Sequence, residues 1–194
     1  MKKKISPKNK VISSKNIFLR YFKETDVTLK YLEMINDKDT TKYLDNPTKK
    51  TKADLLNYFK KINKDKNFHF FAIIERQTNR YIGNAKIGPI DNFHKRTSFG
   101  RLIHKDYHNA GYGSEVSSLL IKVIFERLKL NRILLGVLVK NIGSYKSNIK
   151  AGLDSETVLK KYVYHNGKYE DTYLLGLTKE RYFQKKKAKL LFKR

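Results

Sequence analysis

The sequence predicts an α/β fold of the α+β kind, in which a mixed, mostly antiparallel central sheet of about seven strands is flanked by about four helices. Three observations predict it. The spacing of apolar residues is helical in the N-terminal part and changes to alternation over residues 67–103. A continuous apolar run from Arg132 to Val139 is typical of a central strand. Between the two, residues 103–115 join an apolar strand to an amphipathic helix through a turn with two glycines.

The N-terminal part predicts one strand and three helical segments. Alternating apolar residues favour a strand over residues 16–21. A helix over residues 25–35 follows, capped by the Thr-Asp pair at its start, and residues 40–44 favour a further helical turn. Thr51 and Asp54 form a variant capping box at the start of the next amphipathic helix.

The middle of the chain predicts three antiparallel strands in succession. They cover residues 67–75, 81–87 and 97–103, and Gly88-Pro89 is expected to end the second of them. An amphipathic helix extends from the glycine turn to Leu128.

The C-terminal part predicts a short helix and a hairpin after the central strand. The helix covers residues 141–151 and ends at Gly152. Strands over residues 158–164 and 169–177 flank an Asn-Gly turn, which strongly favours a β-hairpin.

Length and composition indicate one main domain in a chain of 194 residues. We assign residues 16–182 to this domain, residues 1–15 to a basic flexible arm and residues 183–194 to a basic tail. The absence of cysteine excludes disulfides, thiolate metal sites and cysteine nucleophiles. No stretch has the pattern of a signal peptide or a membrane span, so a cytoplasmic protein without membrane contact is expected.

The formal net charge of +25 allows two interpretations. Residues 1–10 hold five Lys and no acidic residue, and residues 179–194 hold eight Lys or Arg against one acid. Such charge attracts polyanions such as RNA, and it also favours a coenzyme or acceptor that carries phosphate. The other interpretation is compositional drift toward Lys and Asn, with the charge simply solvated.

The glycine turn predicts an anion site. A strand-to-helix junction of this kind directs several backbone N–H groups and the positive end of a helix dipole toward one point, where a phosphate or diphosphate binds well. A dinucleotide-binding fold would place a third glycine at Val116, and the Gly-Lys-Ser/Thr of a P-loop is absent. The phosphate therefore belongs to another class of ligand.

The order of elements and two motifs resemble the GNAT N-acetyltransferases over residues 16–182. The coenzyme loop of that family, Gln/Arg-x-x-Gly-x-Gly/Ala, corresponds to residues 108–113. Its Asn-x-x-Ser/Ala element corresponds to residues 141–144, followed by a Lys-x-Gly-Leu at residues 150–153. Residues 32–44 and 167–171 are similar to the branch of ribosomal-protein and amino-sugar N-acetyltransferases.

The resemblance implies acetyl-CoA as the acyl donor, without a metal. The backbone of the strand that ends at Leu102 and Ile103 would pair with the pantetheine arm, and the N–H groups of residues 109–114 would hold the diphosphate. Asn141 would contact the arm near the thioester and Ser144 the phosphopantetheine. The coenzyme-binding residues implied in this way are Leu102, Ile103, His108, Asn109, Ala110, Gly111, Tyr112, Gly113, Ser114, Asn141 and Ser144. Because His104 and His108 lack a third ligand, a metal pair there is not expected.

Three positions depart from the family pattern. Ser98 stands at the usual acidic residue, Asn148 at the usual tyrosine, and His108 at the loop's Arg or Gln. Candidate substitutes are His94 or Asp91 as the base and Tyr145 as the acid, since a neutral imidazole suits proton removal near neutral pH. The alternatives are an exposed loop role for His94 and simple packing for Tyr145. The departures are Ser98, Asn148 and His108; the catalytic candidates are His94, Asp91 and Tyr145.

The sequence thus predicts an acetyl-CoA-dependent transfer of acetyl to a primary amine. The acceptor would be an amino sugar, including a nucleotide-linked one, or a protein N-terminus, with phosphate or acidic groups nearby. The alternative is a catalytically degraded relative of the fold that serves as a basic structural or RNA- and ribosome-associated component. A monomer and a homodimer are both compatible with the sequence.

Overall fold

The protein is described by a computed structural model that covers residues 12–44 and 48–191. One eight-stranded sheet has the order β1-β2-β3-β4-β5-β6-β8-β7, and only the β5–β6 pair is parallel. The strands are β1 Ile12–Ser13, β2 Ile17–Tyr21, β3 His69–Glu75, β4 Tyr81–Asp91, β5 Arg96–Ile103, β6 Arg132–Leu138, β7 Asp154–His165 and β8 Lys168–Thr178.

Six α-helices accompany the sheet within the described residues. They are α1 Leu29–Asn36, α2 Lys38–Thr41, α3 Lys52–Lys64, α4 Tyr112–Lys122, α5 Ile142–Ala151 and α6 Lys179–Leu191. The α4 helix continues into a π-helical turn, Val123–Arg127. The predicted mixed, mostly antiparallel architecture is confirmed, with one strand and two helices more than expected.

Two apolar clusters cover the two faces of the sheet. Alternation along β3 divides its side chains between them: Phe71 and Ile73 join the cluster under α4, while Phe70 and Ile74 join the cluster under α1 and α3. Both faces of the central strands are therefore buried, and the sheet is a rigid support for the loops at its edges.

The two parallel strands of the sheet separate after two residue pairs. Arg96 pairs with Arg132 and Thr97 with Ile133, and no later residue of β5 is paired with β6. On their other sides β5 stays paired with β4 up to Ile103, and β6 stays paired with β8 up to Leu138. The strands therefore diverge toward their carboxyl ends and leave a space between them, which we call the gap.

Backbone groups of β5 line the gap. The N–H of His104 donates to the carbonyl of Ile82 at 2.9 Å, while Ile103 lies opposite Gly83. In an antiparallel ladder this register makes Ile103 and Gly83 a non-hydrogen-bonded pair. Going back along the strand, the N–H and C=O groups of Phe99, Arg101 and Ile103 therefore point away from β4 and toward the gap.

The predicted cap of α1 is wrong, because Asp26 is engaged elsewhere. Its carboxylate accepts hydrogen bonds from the two terminal guanidinium nitrogens of Arg20, each at 2.6 Å. Residues 24–26 form a short 3₁₀ turn instead of the start of the helix. The Thr28 side chain caps the helix by accepting the N–H of Tyr31 at 3.3 Å.

The strand expected to end at Gly88-Pro89 continues to Asp91. The register of β4 on β5 shifts between Ile87 and Ile90, so a bulge takes up the extra residues. Pro89, which has no N–H to donate, lies inside this irregular stretch and does not end the strand.

Both predicted tails are shorter than expected. Ile12 and Ser13 form β1, so part of the arm assigned to residues 1–15 is sheet, and residues 1–11 lie outside the described residues. Most of the tail assigned to residues 183–194 belongs to α6. That helix packs on the domain through Tyr182. The Tyr182 ring stacks on Phe125 with 5.1 Å between ring centroids, and its hydroxyl donates to the Glu126 carboxylate at 2.6 Å.

The capping box at the start of α3 is confirmed, and it carries a testable consequence. The Thr51 hydroxyl accepts the N–H of Asp54 at 3.2 Å, and the Asp54 carboxylate accepts the N–H of Thr51 at 2.8 Å. Thr51→Ala is expected to lower the free energy of unfolding by about 1 kcal/mol, because it leaves an N-terminal N–H group of the helix unsatisfied. Urea unfolding measures this loss. The neighbouring Lys52→Ala is the control, and its free energy of unfolding should change by almost nothing. Equal losses in the two variants would contradict the capping role.

Candidate active site

The loop between β5 and α4 presents backbone N–H groups at one place. Asn109 and Gly111 have positive φ angles of 62° and 83°, and Gly111 is the N-cap of α4. The N–H of Ser114 already donates to the Gly111 carbonyl at 3.1 Å. The N–H groups free to bind an anion are therefore those of residues 109–113, one fewer than the predicted range 109–114. In the described part of the chain no bond is assigned to the N–H groups of residues 109–113. This is the arrangement that binds an anion at a helix N-terminus.

Three side-chain contacts hold the loop and the helix start in place. Lys105 pairs with Asp37 at 2.8 Å, which fixes the loop to the α1–α2 junction. The hydroxyl of Tyr112 donates to the carboxylate of Glu75 on β3, and this bond raises the pKa of Tyr112 to about 12. Glu115 accepts from residues 14 and 16 in the β1–β2 turn. The amides are therefore positioned before any ligand arrives.

His108 acts within the loop and not as a replacement for the family's Arg or Gln. Its Nε2 lies 2.8 Å from the carbonyl oxygen of Ile103. Because a carbonyl can only accept, Nε2 carries the hydrogen in this contact. The bond closes the loop on itself and occupies the Ile103 carbonyl at the mouth of the gap.

Of the two strand residues predicted to pair with the coenzyme, only one directs its backbone groups toward the gap. The backbone of Ile103 faces the gap, as expected. Leu102 lies opposite Asn84 in the ladder, so its N–H and C=O are used by β4. Its side chain packs against the cluster under α1 and α3. This corrects the prediction for Leu102: the other strand residues available for backbone pairing are Phe99 and Arg101.

Asn141 and Ser144 lie together at the start of α5, directly across the gap from β5. Asn141 is the N-cap, and its side-chain oxygen accepts the N–H of Ser144 at 3.1 Å. The Asn-x-x-Ser spacing therefore has a local explanation, since it caps the helix that borders the gap.

A partly buried polar cluster, which the sequence did not indicate, lies behind the gap between β5, α4 and α5. We call its five members, Arg101, Ser117, Ser144, Ser147 and Asn148, the Arg101 cluster. The Oδ1 of Asn148 accepts from Arg101 Nη1 and from the Ser117 hydroxyl, both at 2.8 Å. Arg101 also donates to Ser147, and Asn148 Nδ2 lies 3.4 Å from Ser144 Oγ. Asn148 is 1% exposed, so the residue at the family's tyrosine position is a buried structural amide.

One sequence feature could have revealed the cluster. Arg101 occupies the same strand face as Phe99 and Ile103, which are both in the core. A cation at a core-facing position of a strand is unusual, because a buried charge needs a partner.

His94 and Asp91 lie at the opposite end of β5 from the anion loop. His94 Nδ1 lies 2.8 Å from Asp91 Oδ2, and both residues belong to the exposed turn between β4 and β5. Hydrogen bonding from the His94 backbone lowers the pKa of Asp91 to about 2. The strand between this turn and the loop spans roughly 23 Å. The turn also lies at the closed end of the gap, beside the residues that pair β5 with β6.

Ser98, which departs from the family pattern, and the candidate Tyr145 both make contacts with neighbouring strands. Ser98 donates its hydroxyl to the Gly88 carbonyl at 3.0 Å and so secures the β4 bulge. The ring of Tyr145 packs on Tyr173 of β8, with 4.3 Å between ring centroids. The roles of His94, Asp91 and Tyr145 as base and acid stay predictions.

Comparison with known proteins decides the family. The model of the acetyltransferase (GNAT) domain matches residues 16–154, which include the loop, the gap and α5. The chain belongs to the GNAT acetyltransferase family.

Relatives from several bacteria support this membership over most of the chain. The uncharacterized N-acetyltransferase YoaA of Bacillus subtilis (strain 168) is 27% identical over 88% of this chain and 98% of its own length. YjcK of the same organism, named a probable N-acetyltransferase, is 32% identical over 62% of this chain and 66% of its own length. The crystal structure of a GNAT acetyltransferase from Bacillus anthracis has a TM-score of 0.77 and 26% identity, over 88% of this chain and 99% of that one.

A solved complex from another bacterium shares the fold of this chain. Spermidine N-acetyltransferase from Vibrio cholerae, solved with CoA and spermine, has a TM-score of 0.78 and covers 86% of this chain and 98% of its own. Its identity to this GNAT chain is 20%, so the likeness is one of fold. The predicted branch, ribosomal-protein or amino-sugar, is not decided by these relatives.

The described residues hold neither a membrane-length apolar helix nor a cluster of metal-ligating side chains. None of their helices has the length and apolar character needed to cross a bilayer. Among the same residues, no three His, Cys, Asp or Glu side chains converge as metal ligands would.

The left-handed conformation of Gly111 gives a prediction with a matched control. Gly111→Ala and Gly167→Ala both place a Cβ at a φ near 83°, and in neither case does another atom lie within 4 Å of it. Both variants should lose about 1–2 kcal/mol of stability through backbone strain. Only Gly111→Ala should also weaken CoA binding, by roughly ten-fold or more, because it disturbs the loop amides. Urea unfolding and calorimetric titration check the two effects; equal weakening in both variants would contradict the loop assignment.

The position of His94 gives a second prediction. Because the imidazole lies at the closed end of the gap, we expect His94→Ala to keep kcat within about three-fold of the unmodified chain, whereas loss of a true general base costs about a hundred-fold or more. Steady-state kinetics over pH 6–9 measure this. A large fall in kcat, with loss of the acidic limb of the pH profile, would establish His94 as the base after all.

Proposed function

We propose that this protein transfers the acetyl group of acetyl-CoA to a primary amine. The observation that carries the proposal is the gap between β5 and β6, which opens next to the amides of residues 109–113. The backbone groups that face the gap lack a strand partner and can accept the hydrogen bonds of an extended ligand in its place. A ligand with an extended, amide-containing arm would pair with the strand edge in the gap, and a diphosphate joined to that arm would bind the loop amides.

Coenzyme A fits the residues that line this space. The N–H groups of residues 109–113 would hold its diphosphate at the N-terminus of α4. The edge of β5 offers hydrogen-bonding groups to the two amides of the pantetheine arm, as a neighbouring strand would. These groups are the N–H of Phe99, Arg101 and Ile103 and the C=O of Phe99 and Arg101, since His108 already bonds the Ile103 carbonyl. When bound, the coenzyme supplies an activated acetyl thioester.

The reaction needs a neutral amine, a polarised carbonyl and a leaving thiolate. The amine nitrogen attacks the thioester carbon, so that a C–N bond forms while the C–S bond breaks and sulfur leaves with the electron pair. A β5 N–H directed into the gap would donate to the carbonyl oxygen as its charge grows. The extra proton of the nitrogen passes to water in the gap.

The acceptor would enter over the α1–α2 face, opposite α4. Tyr43, after α2, donates its hydroxyl to the backbone carbonyl of Lys140 at 3.2 Å, which joins this face to the end of β6. Lys140 in turn pairs with Glu170 of β8 at 2.9 Å and lies 3.1 Å from His165. Fixed charges of both signs at this place suit an amine that carries further polar groups.

Acceptor candidates are an amino sugar, a nucleotide-linked amino sugar and a protein N-terminus. The net charge of +25 supports an acceptor with phosphate or acidic groups. A polyamine joins the candidates because a protein of the same fold carries that substrate name. The charge also supports contact with RNA, which would be recognised by affinity that falls steeply with salt.

A thermal-shift titration followed by a thiol-release assay tests the proposal. Acetyl-CoA at about 100 times its Kd should raise the melting temperature by about 5–10 °C, because it binds only the native state. Release of free CoA is then followed with glucosamine, a nucleotide-linked amino sugar, an N-terminal peptide and spermidine.

The two readings separate the possible outcomes. Release stimulated by one amine class identifies the acceptor and supports the proposal. No stabilisation by acetyl-CoA would end it. Stabilisation without release in the presence of any amine, combined with salt-sensitive RNA binding, would favour a non-catalytic member of the family.

A further inference from the structure

Within the part of the chain that the structure describes, Arg101 is a cation without an acidic partner. Among the described residues, its guanidinium donates to an amide oxygen, Asn148 Oδ1 at 2.8 Å, and to the hydroxyl of Ser147. These two bonds use two of its five N–H groups. Arg101 is half-buried, and this burial lowers its pKa to about 10, so the group is charged at neutral pH. No carboxylate of the described residues balances the charge. Buried charges in proteins are paired as a rule, because an uncompensated one is costly.

The guanidinium lies against the first turn of α4. A Cβ built on Gly113 would be 3.5 Å from Arg101 Nε and 3.6 Å from Nη2. The positive end of the α4 dipole and the Arg101 charge are thus neighbours, which is unfavourable for both. An anion bound at residues 109–113 would interact favourably with the two groups at once.

We propose that Arg101 is a coenzyme-binding residue whose missing counter-ion is the diphosphate of CoA. This rests on the proposed function, since it assigns a new ligand to the coenzyme site of that function. The loop position where the family carries Arg or Gln holds His108 here, and that side chain is bonded to the Ile103 carbonyl. The cation for the diphosphate therefore comes from β5, beneath the loop, and the Arg101 cluster orients it.

The cluster explains how the cation is kept ready. Asn148 Oδ1 is shared between Arg101 and Ser117, and Ser147 takes the second terminal nitrogen. Neutral oxygens hold the guanidinium in one orientation without neutralising it. A carboxylate at position 148 would hold it as well but would cancel the charge that the diphosphate needs.

Asn148→Asp tests this directly because stability and affinity should change in opposite directions. The new carboxylate would pair with Arg101 in the free protein and raise its melting temperature. The same pairing should weaken CoA binding by roughly 10- to 100-fold, since the diphosphate must then compete with an internal anion. Calorimetric titration with CoA and thermal unfolding of the free protein give the two values.

Arg101→Met and Arg101→Lys separate a diphosphate role from a structural one. With acetyl-CoA as donor, Arg101→Met should lower kcat/KM by roughly 10- to 100-fold, mainly through KM, and Arg101→Lys should recover part of the loss. With S-acetylpantetheine, which has no phosphate, Arg101→Met should change kcat/KM by less than about three-fold. If that short donor gives no turnover, a second measurement replaces it, namely the rise in melting temperature of the protein on addition of inorganic diphosphate. Arg101→Met should abolish that rise. Arg132→Met, which breaks an exposed pair with Glu156, is the control expected to match the unmodified chain.

Three results would overturn the proposal. Equal losses with both donors would mean that Arg101 acts on the thioester or on the fold. An unchanged CoA affinity in Arg101→Met would mean that the diphosphate does not use it. If Asn148→Asp raises the melting temperature but leaves the affinity for CoA unchanged, the diphosphate likewise does not use Arg101. Failure of the proposed function is distinguishable, because the unmodified chain would then bind no CoA in the same titration.

Discussion

The structure depends on an interruption in its own sheet. The β5 and β6 strands are buried in the middle of the molecule, yet they share two residue pairs and then separate. Backbone groups in such a place are costly to leave unpaired. The separation is held open by the neighbours, since β4 stays with β5 to Ile103 and β8 stays with β6 to Leu138. The gap is therefore a fixed feature of the fold, and the site follows from it.

The chemistry of the site is carried more by the backbone than by side chains. The loop amides, the edge of β5 and the dipole of α4 supply the donors that a diphosphate and an extended amide arm need. The side chains that replace the family pattern all have local partners: Ser98 bonds the Gly88 carbonyl, His108 bonds the Ile103 carbonyl, and Asn148 accepts from Arg101. These departures from the pattern leave the loop amides and the gap in place.

Sequence reasoning could predict what local patterns encode. The order of the elements, the Thr51–Asp54 capping box, the end of α5 at Gly152 and the glycine turn all follow from residue type at short spacing, and the structure agrees with each. The same glycine turn and the Asn-x-x-Ser element indicate the family. These features need no knowledge of which strand lies beside which.

Long-range contacts explain what the sequence could not predict. Asp26 is a plausible helix cap until Arg20 takes its carboxylate. The basic C-terminal segment looks like a solvated tail, but Tyr182 and the ion pairs of Lys185 and Lys186 dock it as α6. Arg101 looks like one more cation in a basic chain until α4 and α5 close over it. In each case the partner is distant in sequence or depends on the pairing of the sheet.

Amide hydrogen exchange with and without CoA is the most direct measurement of the central claim. We expect addition of CoA to slow exchange in two segments: residues 99–103, whose N–H groups alternate into the gap, and residues 109–113 of the loop. Residues 81–87 of β4, which are already paired, should exchange at the same rate in both states. CoA binding that leaves the first two segments unprotected would contradict the claim that the interrupted sheet is the coenzyme site.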